Sequence, residues 1–348
     1  MKRLLKRLTH WEAWPFGILY APLAPFWLWY ILRSRSVWFF TPSNPKITFG
    51  GLEGEPKKEM YDLLPDDLYP NTFYVEPSIS FDDLLNALKA SGISYPFIVK
   101  PEVGWQGMLL RKIDDEGAFL QYHQNMPAQY IVQELVTFPM EVSVFYIRHP
   151  QEEKGRVTGF LHKVPMYVSG NGVETLEQLA QAHPKAAKRL EEMKRQHVER
   201  WYDILPNGER YPLSYAANHN RGAQFFDLKE HIDDDLVAVF DRLSLAIDDF
   251  FYGRYDIMCN NVEELKQGRG FTILEYNGCG AEPNHFYDTG YTLGQAYREI
   301  LKHWKFLYEI SAHNARRGIK PWPFFKGATF LRKTRKDTAI MRELDRRI

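Results

Sequence analysis

The sequence predicts an α+β protein made of two lobes. Short segments rich in β-branched and aromatic residues occur in pairs, and single helix-like segments separate the pairs. The glycine fingerprint that opens a dinucleotide-binding fold is missing. A chain of 348 residues is long enough for two or three lobes, each around its own core.

The elements follow from local patterns. Six strands are predicted, at 96–100, 129–133, 141–147, 156–162, 254–259 and 271–276. A helix is predicted over 80–91, because Ser80 can cap its first turn and Gly92 can end it. Apolar residues at helical spacing predict further helices over 233–251 and about 290–312.

Composition excludes several classes of protein. Lys and Arg number 44, as do Asp and Glu, so the net charge is zero, and a dedicated nucleic-acid binder needs a surplus of cations. With 45% hydrophobic residues, the chain is not disordered over most of its length. Cys259 and Cys279 are the only cysteines, which excludes a disulfide framework and a multi-cysteine zinc site and favours a reducing compartment.

The charge is unevenly distributed along the chain. Residues 1–40 carry six Lys and Arg against Glu12, and residues 316–348 carry eleven against three acids. The middle of the chain must therefore be acidic. Basic, aromatic ends predict contact with an anionic membrane.

The first forty residues form a hydrophobic arm in this interpretation. Residues 13–32 contain no charged side chain over a length that could span a bilayer, but Pro15, Pro22 and Pro25 interrupt the run. The basic flank precedes the run, which places that flank on the cytoplasmic side, and the chemistry expected of the rest of the chain places that part there as well. We therefore expect a proline-broken, re-entrant or interfacial hairpin. A single span and a packing arm or dimer contact are the alternatives.

The arm is followed by three further segments. Residues 41–79, rich in Pro and Gly, are expected to be a linker and a reduced N-terminal lobe. Residues 80–312 form the main domain, and residues 313–348 a basic, aromatic tail. In the tail, the segment 321–336 is either a second membrane contact or a solvated basic stretch.

One strand pair carries polar residues in positions suited to chemistry. Asp256 lies in the predicted strand 254–259, while Glu275 and Asn277 share one face at the end of the next strand. Carboxylate and amide oxygens on adjacent strands suit Mg²⁺ held against substrate phosphates. Arg254 shares the face of Asp256 and could neutralise a transferring phosphoryl group. The alternative is chance polar residues on an exposed sheet.

A second segment favours phosphate binding. Lys100 ends a predicted strand and is followed by a loop that contains Gly104 and Gly107. A lysine with flexible backbone N–H groups is a common way to hold polyphosphate. A structural lysine before a turn is the simpler reading of this segment alone.

Taken together, these segments resemble the ATP-grasp superfamily, in particular its carboxylate–amine ligase branch, which includes D-alanine–D-alanine ligase. The resemblance covers about residues 80–312 and implies a two-lobe fold with ATP between two α/β sheets. It implies phosphate binding by Lys100 and the loop of Gly104, Gln106 and Gly107. The metal ligands would be Asp256, Glu275 and Asn277, with Arg254 as the catalytic arginine.

The resemblance also places the nucleotide. The stretch YIVQELVTFPMEVSV would provide Glu134 and Leu135 at the adenine edge and Glu141 on the ribose hydroxyls. Lys163, ahead of a Gly170-Asn171-Gly172 turn, would face the phosphates and take part in catalysis. The stretch NHNRGAQFFDL, residues 218–228, resembles the segment that precedes the metal site.

The sequence departs from the family after Asn277 and before residue 80. Cys279, Glu282 and His285 follow Asn277, and His285 is a candidate acid or base. Glu282 would either grip a substrate amine or cap a turn. Cys279 is either a small residue in a tight turn or a nucleophile. GGLEGEPKK, residues 50–58, bears only a faint similarity to the family's N-terminal acidic motif, so D-alanine is not the expected substrate.

The expected function is that of a ligase that uses ATP and Mg²⁺ or Mn²⁺ to join a carboxylate to an amine. At least one substrate is expected to be amphiphilic, because the arm would hold the protein at the cytoplasmic face of a membrane. A kinase acting on a hydroxyl and a non-catalytic ATP-binding scaffold are the alternatives. No nucleic-acid partner is expected, and a homodimer is left open.

Overall fold

We analysed a computed structural model, which describes residues 11–104, 107–215, 217–247 and 249–347. It is a mixed α/β protein with antiparallel sheets. The strands of the described residues are β1 (Thr72–Val75), β2 (Phe97–Pro101), β3 (Arg111–Ile113), β4 (Tyr130–Glu134), β5 (Met140–Ile147), β6 (Arg156–Val164), β7 (Tyr167–Ser169), β8 (Arg210–Pro212), β9 (Gln224–Asp227), β10 (Tyr252–Cys259) and β11 (Phe271–Asn277).

Helices join these strands, and short 3₁₀ turns lie between them. The α-helices of the described residues are α1 (Phe16–Tyr20), α2 (Ala24–Ser34), α3 (Lys57–Tyr61), α4 (Phe81–Ser91), α5 (Glu116–Asn125), α6 (Leu176–Ala182), α7 (Leu190–Gln196), α8 (Asp234–Ile247), α9 (Val262–Lys266), α10 (Leu293–Arg316) and α11 (Phe324–Asp345).

The chain divides into two compact units. Unit 1 contains residues up to Tyr69, Phe138–His162 and Phe225–Thr334. Unit 2 contains Pro70–Thr137, Lys163–Gln224 and Arg335–Ile348. All six predicted strands are present, with ends shifted by at most two residues.

Unit 1 is built on a five-stranded sheet in the order β11-β10-β5-β6-β9. Successive side chains alternate between the two faces of a strand, so each face has its own packing partner. On one face, Tyr146 and Tyr255 contact Phe240 of α8, with ring centroids 6.2 and 5.1 Å away. On the other face, Phe145 contacts His303 of α10 at 4.7 Å.

The segment expected to be a linker contributes to the core of unit 1. Phe40 and Phe49 are buried, and their rings meet edge to face at 5.2 Å. Asn44 is fully buried, and its Oδ1 accepts hydrogen bonds from the backbone N–H groups of Phe251 and Tyr252, at 3.0 and 3.1 Å. Residues 41–69 therefore belong to unit 1, and Asn44 and Phe49 of this segment lie in its buried interior.

Unit 2 contains a four-stranded antiparallel sheet in the order β1-β4-β2-β3. Its core packs Phe97 of β2 against Phe119 of α5, with ring centroids 4.9 Å apart. The prediction for α4 is confirmed: the Ser80 side chain accepts a hydrogen bond from the Asp83 N–H at 3.2 Å, and Gly92 ends the helix in the left-handed conformation.

The hydrophobic arm comprises α1, a 3₁₀ turn and α2, and its prolines lie where these segments begin. Pro15 caps α1, and Pro22 and Pro25 lie in the first turns of the next two helical segments, where a missing N–H costs nothing. The re-entrant or interfacial hairpin stays a prediction. Leu19 and Leu23 are buried in unit 1, and no helix among the described residues is long and apolar enough to cross a membrane.

The C-terminal tail is helical, which the sequence analysis missed. Within unit 1, Phe330 of α11 contacts Phe49 and Trp322, with ring centroids 5.2 and 5.5 Å away. Within unit 2, Met341 and Leu344 of α11 join the core cluster. The basic residues conceal these apolar positions in the sequence, because Lys and Arg make up half of the exposed residues of the helix.

Candidate active site

The candidate active site in unit 1 lies on the strand pair β10–β11. The antiparallel register places Arg254 opposite Asn277 and Asp256 opposite Glu275. Residues directly opposite each other share a face, so all four side chains lie on the same face of the sheet. The prediction that these strands are neighbours is therefore confirmed, while the roles of the four residues stay a prediction.

A β-bulge shapes the end of this strand pair. The register shifts between Asp256 and Ile257, so Leu274 is the extra residue on β11. The Leu274 carbonyl accepts a hydrogen bond from the Tyr61 hydroxyl at 2.8 Å. Bulges re-aim the side chains next to them, here Glu275.

The polar groups on this face are directly bonded to one another. Arg254 Nη2 lies 3.1 Å from Asp256 Oδ2, and Arg254 Nε lies 3.4 Å from Asp256 Oδ1. Asn277 Nδ2 donates to Asp256 Oδ2 at 3.3 Å. Because Asp256 is buried, these bonds hold its carboxylate in a fixed position.

Acidic groups outnumber basic ones around Arg254. Burial alone would lower the pKa of the Arg254 guanidinium, but the charges of Asp256, Glu275 and Glu282 more than offset that effect and raise it. Three carboxylates thus act on this one guanidinium. Carboxylates that lie close together are the groups to which a divalent cation binds.

Glu141 lies on the same face of the same sheet. In the pairing of β5 with β10, Ser143 is opposite Asp256 and Glu141 is opposite Met258. Alternation along β5 then directs Glu141 and Ser143 to the side that carries Asp256, with Glu141 about 7 Å further along the strand. The predicted ribose ligand thus occupies a position in line with the predicted metal ligands.

Glu282 is held by two tyrosines. Its Oε1 accepts hydrogen bonds from the Tyr20 hydroxyl at 2.6 Å and the Tyr287 hydroxyl at 3.0 Å, and its backbone carbonyl accepts from Arg254 Nη1 at 3.3 Å. Burial, with the charge of Glu282, raises the pKa of Tyr20 well above its usual value, so that hydroxyl keeps its proton. Tyr20 of the hydrophobic arm is therefore hydrogen-bonded to a residue of the candidate site.

His285 is enclosed between β6 and α10. A side chain at Gly159 would collide with His285 Nδ1, since a Cβ there would lie 2.3 Å from it. His285 Nε2 lies 3.7 Å from Glu299 Oε2, and Nδ1 has no hydrogen-bond partner among the described residues. The neighbouring His285 and Lys302 lower the pKa of Glu299 to about 2. These contacts fix the imidazole against Glu299, and its role as acid or base stays a prediction.

The segment after Asn277 crosses the segment 50–55 at very short range. Cys279 N donates to Gly50 O at 3.0 Å, and Gly280 N donates to Gly51 O at 2.8 Å. A Cβ on Gly51 would lie 2.7 Å from the Gly278 Cα, so two glycines are required at this crossing. Burial raises the pKa of the Cys279 thiol well above its usual value, which favours the packing role of Cys279 over that of a nucleophile.

Glu55 is the acidic residue that sequence reasoning missed. Its Oε2 is buried and has no hydrogen-bond partner among the described residues. Burial raises the pKa of the Glu55 carboxyl to about 7, and the charge of Glu275 contributes to the increase. The GGLEGE segment was the available signal, but only the structure shows that Gly50 and Gly51 contact the strand end of the candidate site.

Unit 2 carries the residues predicted to bind the nucleotide phosphates. Lys100 on β2 and Lys163 near the end of β6 are both buried, which is unusual for lysine. Gly104 and Gly107 lie in the loop between β2 and β3, and Gly107 has a φ of +70°. Gln106, like Trp105, lies outside the described residues.

The predicted adenine-edge residues lie at the end of a strand in unit 2. Glu134 is the last residue of β4 and is opposite Phe97 of β2. Its backbone N–H donates to Asn71 O at 2.9 Å. Leu135 follows outside the strand and is half-buried. These facts place both residues without testing their contact with adenine.

A magnesium ion fits the donors on β10 and β11. Asp256 and Glu275 supply carboxylates and Asn277 an amide oxygen, which are hard oxygen ligands of the type that Mg²⁺ binds. The three carboxylates that act on Arg254 favour a cation in the same way. In the structure, Asp256 is bonded to Arg254 and Asn277, the partners with which an ion would compete.

Comparisons with known proteins give similar structures but no relative in sequence. No family model and no curated protein matches the sequence significantly. Similar solved structures include a D-alanine–D-alanine ligase from Bacillus anthracis (TM-score 0.42, 12% identity, 79% of this chain, 70% of that chain). A second is a bifunctional glutathione synthetase from Pasteurella multocida (TM-score 0.40, 12% identity, 76% of this chain, 37% of that chain). A third is the VanG D-Ala:D-Ser ligase from Enterococcus faecalis (TM-score 0.42, 12% identity, 75% of this chain, 62% of that chain).

This chain spans 37% of the glutathione synthetase and 62% of VanG. At TM-scores near 0.4 and identities of 12%, these similarities do not establish a family or an activity.

Proposed function

We propose that this protein is a Mg²⁺-ATP-dependent ligase that joins a carboxylate to an amine through an acyl phosphate. The observation that carries the proposal is the single sheet face with Arg254, Asp256, Glu275 and Asn277, with Glu141 in line. The buried lysines Lys100 and Lys163 of unit 2 supply positive charge suited to phosphates. The resemblance to carboxylate–amine ligases selects ligation among the reactions such a site could perform.

The reaction has two balanced steps. In the first, a substrate carboxylate oxygen attacks the γ-phosphorus of ATP, and the bond to ADP breaks. In the second, the amine nitrogen attacks the acyl carbon, inorganic phosphate leaves, and the amine loses one proton to water or His285. A bound Mg²⁺ would neutralise charge on the phosphate oxygens in the first step.

The residues of this chain act by position and charge. Arg254 is held rigidly by Asp256, so its guanidinium can stabilise charge that develops on the transferring phosphoryl group without reorganising. Glu141 would bind the ribose hydroxyls. Glu134 and Leu135 would contact the adenine edge. His285 is the acid or base candidate of this chain.

We propose further that one substrate is amphiphilic and that the protein works at the cytoplasmic face of a membrane. The hydrophobic arm and the basic tail support this placement. Confining enzyme and lipid to one layer would raise their effective concentration.

The decisive test of ligation is isotopic. Carboxylate candidates labelled with ¹⁸O would be screened from membrane extracts together with ATP and amines. Ligation through an acyl phosphate transfers one ¹⁸O from the carboxylate to the released phosphate, and requires both substrates. ADP formation with a stable phosphorylated alcohol would identify a kinase instead, and ATP binding without turnover would identify a scaffold.

A further inference from the structure

The arm buries one side and exposes the other. Leu19 and Leu23 are 2% and 3% exposed, and Trp27, Tyr30 and Ile31 of α2 pack against the core of unit 1. The spacing 27, 30, 31 is that of one helix face, so the orientation of α2 is fixed.

The opposite side of the arm is also apolar. We define its outer face as six side chains, between 48% and 72% exposed: Phe16, Ile18, Phe26, Leu28, Trp29 and Leu32. Leu28, Trp29 and Leu32 follow helical spacing, so they form a stripe. A helix in water is expected to be polar on the side away from its core, and this one is not.

The start of α11 extends the outer face. Trp38 Nε1 donates to the Phe324 carbonyl at 3.0 Å, and the two rings stack at 6.3 Å. Phe324 and Phe325 are 56% and 81% exposed. The six side chains of the outer face, together with Val37, Phe324 and Phe325, make up half of the exposed large hydrophobic side chains among the described residues.

Three cations lie beside this surface, and the carboxylate of Glu309 on α10 is close enough to act on Tyr30 of α2. The three cations are Arg33, Arg35 and Lys326, and all are exposed. In the sequence, residues 13–52 and 310–336 contain no Asp or Glu. A second copy of this chain would bring cations against cations across a two-fold axis, which disfavours self-association. Anionic lipid headgroups complement both the cations and the exposed aromatic rings.

We propose that the outer face of the arm, extended by Phe324 and Phe325, is a docking surface for an anionic lipid bilayer. The arm lies in the plane of the interface, since its inner face is occupied by unit 1 and α2 is only about 16 Å long. Docking would serve the proposed ligation of an amphiphilic substrate, so this proposal rests on the proposed function. Tyr20 of the same arm contacts Glu282, whose carbonyl accepts from Arg254, so the docking surface and the candidate site share the arm.

The test measures binding of the full chain to vesicles, without using activity. Vesicles of equimolar phosphatidylcholine and phosphatidylglycerol are compared with vesicles of phosphatidylcholine alone, by co-sedimentation. Leu28→Glu places a charge in the outer face at a site that is 56% exposed. Leu245→Glu on α8 is the matched control, since Leu245 is 55% exposed in the same unit but lies outside this surface.

We expect the natural protein to bind the anionic vesicles, Leu28→Glu to bind at least about tenfold more weakly, and Leu245→Glu to bind as the natural protein does. Replacing Arg33 and Arg35 by Gln should weaken binding to anionic vesicles only. Equal vesicle binding by Leu28→Glu and the natural protein would overturn the proposal. So would a dimer in sedimentation velocity that Leu28→Glu converts to a monomer without any vesicle binding.

The vesicle experiment and the ¹⁸O experiment test the docking surface and the ligase activity independently of each other. If vesicle binding fails while ¹⁸O transfer is observed, the docking surface is wrong and the ligase stands. If the vesicles bind as expected and no carboxylate supports phosphate release, the ligase proposal fails and the docking surface stands.

Discussion

Asp345 is the residue whose loss should test the packing of unit 2 most sharply. It lies at the end of α11, where its Oδ1 accepts hydrogen bonds from the Leu109 N–H at 2.9 Å and Arg111 Nη2 at 3.0 Å. Its Oδ2 pairs with Arg221 Nη2 at 2.9 Å. Leu109 has a positive φ of 55° and follows the glycine loop, so Asp345 fixes the chain where that loop ends. The perturbation is Asp345→Asn.

The magnitude follows from burial. The side chains of Asp345 and Arg221 are only 13% and 10% exposed, and breaking a buried ion pair by removing one partner costs about 3–5 kcal/mol. Asn can still accept the Leu109 hydrogen bond, so we expect a loss of about 2–3 kcal/mol. Glu343→Gln is the matched control on the same helix. Its 3.0 Å pair with Arg347 is exposed, and its loss should cost at most about 0.5 kcal/mol.

The effect of Asp345→Asn should depend on pH. Burial alone would raise the pKa of Asp345, but the Leu109 N–H and the charges of Arg111 and Arg221 more than offset it and lower it. A lowered pKa stabilises the folded protein above the unfolded value of about 3.9, and the gain is lost as the pH falls through the folded pKa. The difference between the natural protein and Asp345→Asn should therefore be full at neutral pH and shrink in acid.

Urea unfolding at several pH values measures the loss of stability and its pH dependence, and hydrogen exchange measures the local effect at Leu109. Exchange of the Leu109 amide, whose acceptor is Asp345, should accelerate in Asp345→Asn but not in Glu343→Gln. An equal loss of stability in the two variants, or a loss that persists unchanged in acid, would refute the reasoning.

Three further predictions concern unit 1. Because the pKa of Glu55 is raised to about 7, the natural protein should lose roughly 1–3 kcal/mol of stability as the pH rises from about 4.5 through 7, and Glu55→Gln should not show this loss in urea unfolding. Gly51→Ala, with a φ of +74° and its Cβ 2.7 Å from the Gly278 Cα, should cost about 2–4 kcal/mol, against about 1 kcal/mol for Gly92→Ala, which has the same φ and open space. Glu141→Ala should raise the Kd for ATP about tenfold in calorimetry, and an unchanged Kd would contradict its place on the ribose.

The positions of the candidate site residues on their strands could be predicted because they depend on residues that are close together in the sequence. Arg254 and Asp256 are two residues apart on one strand, and Glu275 and Asn277 are two residues apart on the other. Alternation therefore places each pair on one face, and the register of the two strands brings the pairs together. The capped helix α4 follows from Ser80 and Gly92 in the same way. Such features need only the neighbours along the chain.

The missed features depend on contacts between distant parts of the chain. Asn44 accepts hydrogen bonds from the backbone of Phe251 and Tyr252, about two hundred residues away, and no sequence pattern around Asn44 predicts these bonds. Glu55 and the tyrosine contact of Glu282 also follow from long-range packing. In α11, the apolar positions lie between basic residues, so composition suggested a tail where packing makes a helix.

The central claim is that Asp256 and Glu275 hold a divalent metal with ATP, and binding of Mn²⁺ with a non-hydrolysable ATP analogue tests it most directly. Mn²⁺ bound to the protein is measured by electron paramagnetic resonance for the natural protein, Asp256→Asn, Glu275→Gln and the exposed control Glu263→Gln. We predict analogue-dependent Mn²⁺ binding that falls at least about tenfold in the first two variants and is unchanged in the control. Equal Mn²⁺ binding in all four proteins would contradict the claim.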